Sequence, residues 1–171
     1  MEGALMNSVN TATVDLLMRT GLDSVHQKAI ALGMDENIPN VPAISLGAVE
    51  ESLWNMLGVY ATFANEGKQP PLHYLLRIET PDGEILYERS NVLEDDFPVI
   101  LQDTTAHILT HLLQSVVDSG TARRLRYQYD LRMAIAGKTG TTQDQADGWF
   151  IGYTPSLVAG TWVGASSPAV R

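Results

Sequence analysis

The chain has 171 residues, 44% of them apolar and 18% charged, which suits a folded core and excludes disordered and fibrous classes. Eleven basic against twenty acidic residues give a net charge of −9, which argues against binding to nucleic acid or to an anionic membrane surface. Because cysteine is absent, disulfides, thiolate metal sites and a cysteine nucleophile are excluded. The sequence has no run of about 18 apolar residues, so it predicts no membrane-spanning helix, and its start does not resemble a signal peptide.

Helical patterns dominate residues 1–67. Short helices are predicted over residues 10–19 and 24–32, and the second ends at a glycine. Apolar residues at spacings of three and four then predict a longer helix over residues 53–64.

A peripheral hairpin is predicted within residues 68–102. Residues 77–79 and 84–87 alternate in the manner of strands. The Thr-Pro-Asp-Gly segment between them is a good tight turn, because proline presets φ and glycine accepts a positive φ.

Residues 103–171 predict one helix followed by an antiparallel sheet. The helix begins near Asp103, a plausible N-cap, and ends at Gly120. The short connection between the last two strand-like runs forces antiparallel neighbours, and apolar residues on both faces favour helices on both sides. The fold class is therefore α+β. The strand-like runs are residues 133–141, 148–153 and 157–163.

The segment over residues 137–142 carries the most chemical information. Lys138 and Gly140 share one face of the predicted strand, and Thr139 and Thr141 share the other. An edge strand with a cation, hydroxyls and a glycine could hold an extended peptide that ends in a carboxylate. The alternatives are a phosphate-type loop, or an edge strand whose lysine deters aggregation; a Walker loop is excluded by its missing first glycine.

Several short motifs occur in an order that resembles one enzyme family. Lys138-Thr139-Gly140 and Ser8-Val9-Asn10 match two signatures of the penicillin-recognising serine acyltransferases. Taken alone, a serine or asparagine at the position of Ser8 or Asn10 is more often a helix N-cap than a catalytic group. As an ordered set the motifs resemble the transpeptidase domain of class A (bifunctional) penicillin-binding proteins, over nearly the whole chain except residues 68–102. The other matching runs are residues 46–50, 60–67, 120–122, 147–155 and 160–164.

The resemblance implies a penicillin-binding/β-lactamase-like transpeptidase fold that is incomplete here, with residues 1–171 as its C-terminal portion. It implies that Ser8 relays a proton to the leaving amine and that Asn10 orients the donor peptide. It implies that the charge of Lys138 supports this relay. The parent reaction that the resemblance implies is serine acyl transfer that cross-links peptidoglycan peptides, without a cofactor or a metal.

The same resemblance implies a substrate-binding strand. Thr139 and Thr141 would hold the terminal carboxylate of a D-Ala-D-Ala stem peptide or a β-lactam, and the Thr141 backbone N–H would be an oxyanion donor. Gly140 would leave room for the ligand backbone. The implied partners are these ligands and the upstream part of the same domain, with no membrane contact from this segment. The implied location is extracytoplasmic, on the periplasmic side of the inner membrane.

One departure from the family concerns the nucleophile. No serine precedes a lysine by three residues, because Lys28, Lys68 and Lys138 have valine, asparagine and isoleucine at that offset. We expect the Ser-x-x-Lys helix and the membrane anchor to lie upstream, so this chain alone is not expected to acylate. The alternatives are a non-catalytic peptide-binding module or a D,D-carboxypeptidase or β-lactamase relative, and residues 148–155 favour the transpeptidases over the latter.

Four other groups are interpreted as structural. The histidine pair lacks a third ligand, the aspartates lie in predicted turns, and the tryptophans suit sheet packing. The arginine cluster is interpreted as a solvated face or as a rim beside the substrate groove. These groups are His107 with His111, Asp95-Asp96 and Asp144 with Asp147, Trp149 with Trp162, and Arg123, Arg124, Arg126 and Arg132.

Overall fold

The computed structural model describes residues 1–90, 96–142 and 146–165, and combines six α-helices, one short 3-10 helix and five strands in that part of the chain. The helices are α1 (Glu2–Met6), α2 (Asn10–Thr20), α3 (Leu22–Ala31), α4 (Leu53–Ala64), α5 (Asp103–Asp118) and α6 (Arg124–Tyr127), with the 3-10 helix at Pro42–Leu46. The strands are β1 (Arg77–Glu79), β2 (Ile85–Glu88), β3 (Ala136–Thr141), β4 (Asp147–Thr154) and β5 (Leu157–Gly164).

The three C-terminal strands form one antiparallel sheet in the order β3-β4-β5. Lys138 lies opposite Ile151 and Gly140 lies opposite Trp149, so these four residues share one face. The predicted antiparallel order is confirmed. Among the described strands, β3 pairs with β4 only, which leaves its other edge without a strand partner.

Helix α5 anchors the core against the start of β3. Val116 and Val117 are fully buried and pack with Ile135, while Leu113 packs with Tyr153 in a second cluster. Burial of each such aliphatic side chain is worth about 1.5–3 kcal/mol, so this contact holds β3 firmly at its N-terminal end. The strand is buried at its start and becomes accessible toward its C-terminal end.

The predicted hairpin is confirmed as β1 and β2, joined by a tight turn. Gly83 adopts a φ of 87°, and its N–H donates to the Thr80 carbonyl at 3.0 Å. Every residue of both strands is exposed, so the hairpin lies at the periphery of the molecule.

The predicted helices are found within two residues of their expected starts, but three local details differ. Helices α1 and α6 contain only five and four residues, which is too short to give an apolar period. Pro42 occupies the first turn of a 3-10 helix, which the sequence pattern did not predict. Asp103 is the first helical residue and not the N-cap, which is Gln102, and its carboxylate accepts from the Thr104 N–H at 2.6 Å.

Within the described residues, a helix packs on one face of β5 and the other face is exposed. A Cβ at Gly160 would lie 3.0 Å from Leu57 and 3.1 Å from Leu53, so α4 packs directly on that face. Leu157 and Val163 point to the opposite face and are 63% and 69% exposed. The expected second helical layer therefore does not cover β5 within the described residues. No helix in that part of the chain is long and apolar enough to cross a bilayer.

Candidate active site

Ser8 occupies the left-handed position that ends α1. Its φ is 53°, its N–H donates to the Leu5 carbonyl at 3.2 Å, and the Val9 N–H donates to the Ala4 carbonyl at 2.9 Å. This pair of bonds defines a Schellman motif, whose left-handed residue is usually glycine. A serine there carries conformational strain, and strain of this kind concentrates at functional sites.

Gly120 lets α1 approach the end of α5. A Cβ at this position would lie only 2.4 Å from the Met6 carbonyl oxygen, so a larger residue would force the two segments apart. The neighbouring Thr121 N–H donates to the same carbonyl at 3.2 Å. This contact fixes the segment that carries Ser8 beside Thr121.

Lys138 reaches Ser8 from β3. Its Nζ donates to the Ser8 Oγ at 2.5 Å and to the Thr139 carbonyl at 2.8 Å. Burial lowers the pKa of Lys138 below its usual 10.5, because the charged ammonium is removed from water. Within the described part of the chain, no carboxylate forms an ion pair with this half-buried cation. An unneutralised ammonium in this setting attracts an anion.

The hydroxyls of Thr139 and Thr121 meet on the other side of β3. Their Oγ1 atoms are 2.6 Å apart, and either can be the donor. Thr141 lies on the same face as Thr139, near the exposed end of the strand. Thr121 was not among the candidate site residues; its only sequence signal was the Gly120-Thr121-Ala122 motif in the resemblance.

Gly140 has a packing role that is visible without any ligand. A Cβ added to it would lie 3.1 Å from the Trp149 Cβ on β4, which is tighter than most contacts of a real Cβ. Trp149 in turn lies 6.4 Å from Trp162, measured between ring centroids, so the predicted sheet-packing role of these tryptophans fits the structure.

Asn10 is close to the site in sequence but is not part of its hydrogen-bond network. It is the first residue of α2, is exposed, and makes no side-chain hydrogen bond among the described residues. The N-cap of α2 is Val9, so the alternative N-cap role for Ser8 or Asn10 is wrong. The structure therefore brings together Ser8, Lys138 and Thr139, with Asn10 and Thr141 adjacent in the chain.

The remaining sequence candidates lie in structural settings. His107 is 4.0 Å from the Glu66 carboxylate in an exposed pair, and the Asp147 carboxylate accepts hydrogen bonds from the Thr142 hydroxyl and the Trp162 indole N–H. Asp95 and Asp144 lie outside the described residues.

A family comparison shows which class of protein this chain belongs to. The family described as "Penicillin binding protein transpeptidase domain" matches residues 1–166. The chain belongs to this family. The resemblance to class A penicillin-binding proteins is likewise confirmed, because the chain is 35% identical over 161 residues to penicillin-binding protein 1A of Aquifex aeolicus. It is 36% identical over 162 residues to penicillin-binding protein 1B of Escherichia coli.

The chain spans about a fifth of the length of these relatives. The matches cover 94% of this chain but 21% and 19% of the two proteins. Among solved structures, penicillin-binding protein 1A of Haemophilus influenzae superimposes with a TM-score of 0.84 at 19% identity, over 96% of this chain and 30% of that one. The PonA1 protein of Mycobacterium tuberculosis in complex with penicillin V gives a TM-score of 0.77 at 24% identity, over 96% and 47%. The α+β transpeptidase fold is thus confirmed, and it covers part of those chains.

Proposed function

We propose that the cleft between Ser8 and β3 binds peptides that end in D-Ala-D-Ala, and β-lactams that resemble them. The observation that carries this proposal is the Lys138 ammonium, which is half-buried, bonded to the Ser8 hydroxyl and without an acidic partner among the described residues. Such a cation favours a ligand carboxylate, and a charge-assisted hydrogen bond to it is worth about 1.5–3 kcal/mol.

The ligand would lie along the free edge of β3. The accessible half of this strand carries the Thr139 and Thr141 hydroxyls, which suit the terminal carboxylate. Strand addition supplies main-chain hydrogen bonds, and the hydroxyls add specificity for the peptide end. Two structural neighbours from M. tuberculosis were solved with β-lactams, PonA1 in complex with penicillin V and penicillin-binding protein A as an imipenem acyl-enzyme complex. Both are consistent with this ligand class.

In the parent reaction, Ser8 and Lys138 would serve proton transfer. A serine hydroxyl elsewhere attacks the penultimate D-Ala carbonyl, D-Ala departs, and the amine of a second stem peptide resolves the acyl-enzyme. The short Lys138–Ser8 bond suits the relay of a proton to the departing amine, and the Asn10 amide at the start of α2 would orient the donor peptide. The Thr141 N–H would stabilise the oxyanion.

We further propose that this chain binds ligand without being acylated. Its sequence contains no Ser-x-x-Lys, so in this proposal another part of the transpeptidase domain would supply the attacking hydroxyl. That part is the proposed partner, and the exposed β5 face around Leu157 and Val163 is a suitable surface for it. The proposed location is extracytoplasmic, where peptidoglycan substrates occur.

Calorimetric titration tests the proposal with two matched peptides, N-acetyl-Gln-D-Ala-D-Ala and N-acetyl-Gln-L-Ala-L-Ala. The D-peptide should bind more tightly, and Lys138→Ala should weaken it by about ten-fold or more. Lys28→Ala is the control, because Lys28 donates to the Ile100 carbonyl away from the cleft. Equal affinity of the two peptides, or of the two variants, would contradict the proposal. Covalent labelling of the chain by a fluorescent penicillin would contradict the second part.

A further inference from the structure

A cavity of about 410 Å³ opens beside the proposed peptide-binding cleft. The position of this cavity is informative because two of its walls belong to the segments that build the cleft. Asn7 directly precedes Ser8, and Thr121 shares a hydrogen bond with Thr139. Its lining includes Asn7, Gly120, Thr121, Arg123, Arg124 and Tyr127.

Two guanidinium groups of this cavity have no anionic partner among the residues that the structure describes. Arg123 and Arg124 form no ion pair and no side-chain hydrogen bond within the described ranges. The other two arginines of the cluster are neutralised, since Arg126 pairs with Asp118 at 2.6 Å and Arg132 pairs with Asp130. In a chain with a net charge of −9, two adjacent unneutralised arginines stand out against their surroundings.

The shared walls determine which ligand could use these arginines. The Thr139 hydroxyl is hydrogen-bonded to that of Thr121, which lines the cavity. A peptide held by Thr139 would therefore lie at the mouth of the cavity. Guanidinium groups bind carboxylates in a planar, two-pronged geometry that an ammonium cannot provide. The cavity thus offers a second anion-binding subsite, next to the Thr121–Thr139 hydroxyl pair.

We propose that Arg123 and Arg124 form a carboxylate subsite for the peptide ligand of this cleft. The inference rests on the proposed function, because it requires a peptide on β3. The carboxylate can come from an acidic side chain of the peptide or from its C-terminus, and both sources have the same chemistry. In either case the two arginines determine specificity for anionic peptides.

The test compares N-acetyl-Glu-D-Ala-D-Ala with N-acetyl-Gln-D-Ala-D-Ala by calorimetric titration. They differ only by a carboxylate against a carboxamide. The double variant Arg123→Gln/Arg124→Gln removes the unpaired guanidiniums, and Arg77→Gln/Arg132→Gln is a control with the same change in net charge. Both control arginines are exposed and already paired with carboxylates.

We expect the first double variant to bind the Glu peptide about ten-fold more weakly, with the control unchanged. If the double variant loses affinity for the Glu peptide only, the subsite binds a side-chain carboxylate. If it loses affinity for both peptides equally, the subsite binds the terminal carboxylate. The inference is overturned, with the proposed function intact, if the first variant binds both peptides as tightly as the unchanged chain. It is equally overturned if the control weakens them as much. If neither peptide binds the unchanged chain, both proposals fail.

Discussion

Because Ser8 has a left-handed backbone conformation, we predict that the usual stability order of alanine and glycine variants is reversed at this position. At most positions glycine is less stable than alanine by about 0.5–1 kcal/mol, because the unfolded chain gains freedom. Ser8 has a φ of 53°, where a side chain costs about 1–2 kcal/mol that glycine avoids. Ser8→Gly should therefore be more stable than Ser8→Ala.

The magnitude follows from the two opposing contributions. The strain relief has a midpoint of about 1.5 kcal/mol, and the cost of the more flexible unfolded state has a midpoint of about 0.7 kcal/mol, so glycine should be more stable than alanine by about 0.8 kcal/mol. Both variants lose the hydroxyl that accepts from Lys138, so that bond cancels in the comparison. For a chain of this length the difference corresponds to about 1–4 °C in Tm.

Urea unfolding of the two variants measures the difference directly. The matched control is Ser24, an exposed residue within α3, where Ser24→Gly should be less stable than Ser24→Ala by about 0.5–1 kcal/mol. Opposite signs at the two positions support the strained geometry. A Ser8→Gly variant that is less stable than Ser8→Ala would refute it, because the Schellman geometry would then impose no cost on a side chain.

Three further predictions concern packing and titration. Gly120→Ala should destabilise the fold by about 1–3 kcal/mol in urea unfolding, because its Cβ would lie 2.4 Å from the Met6 carbonyl oxygen; an unchanged stability would contradict the close approach. Burial raises the pKa of Tyr60 and of Tyr153, so the free energy of unfolding should fall as pH rises above about 10, and Tyr60→Phe should flatten this fall. The pH dependence expected from Lys138 has the opposite sign, because burial lowers its pKa in the folded chain. The free energy of unfolding of the unchanged chain should therefore rise relative to that of Lys138→Met as pH rises toward 10.5. A difference between the two that stays constant with pH would contradict the burial of Lys138.

The sheet and the long helices could be predicted because their signals are local. The apolar stripe of α4 and the short connections around β4 each fix a structure within a few neighbouring residues. Helix α1 has no such signal, because five residues barely complete one turn. Its position depends on Gly120, far away in the chain, which no periodic pattern reveals.

The site itself could be predicted only through the family resemblance. Lys138 and Ser8 are 130 residues apart, and Thr121 and Thr139 are 18 apart, so spacing alone cannot place them together. The resemblance supplied Ser8, Lys138 and Thr139 as candidates, and the structure brings these three together. Thr121 is not predicted as a site residue, because the Gly120-Thr121-Ala122 motif indicates the family but assigns no role to the threonine hydroxyl.

The most direct test of the account is a map of where the D-Ala-D-Ala peptide binds. Backbone amide NMR shifts are followed in the ¹⁵N-labelled chain during titration with N-acetyl-Gln-D-Ala-D-Ala. We predict saturable shifts at Ser8 and along Thr139 to Thr141, with the peripheral β1–β2 hairpin unchanged. Shifts confined to the hairpin, or a titration that leaves the β3 amides unmoved, would contradict the claim that this strand edge is the peptide-binding site.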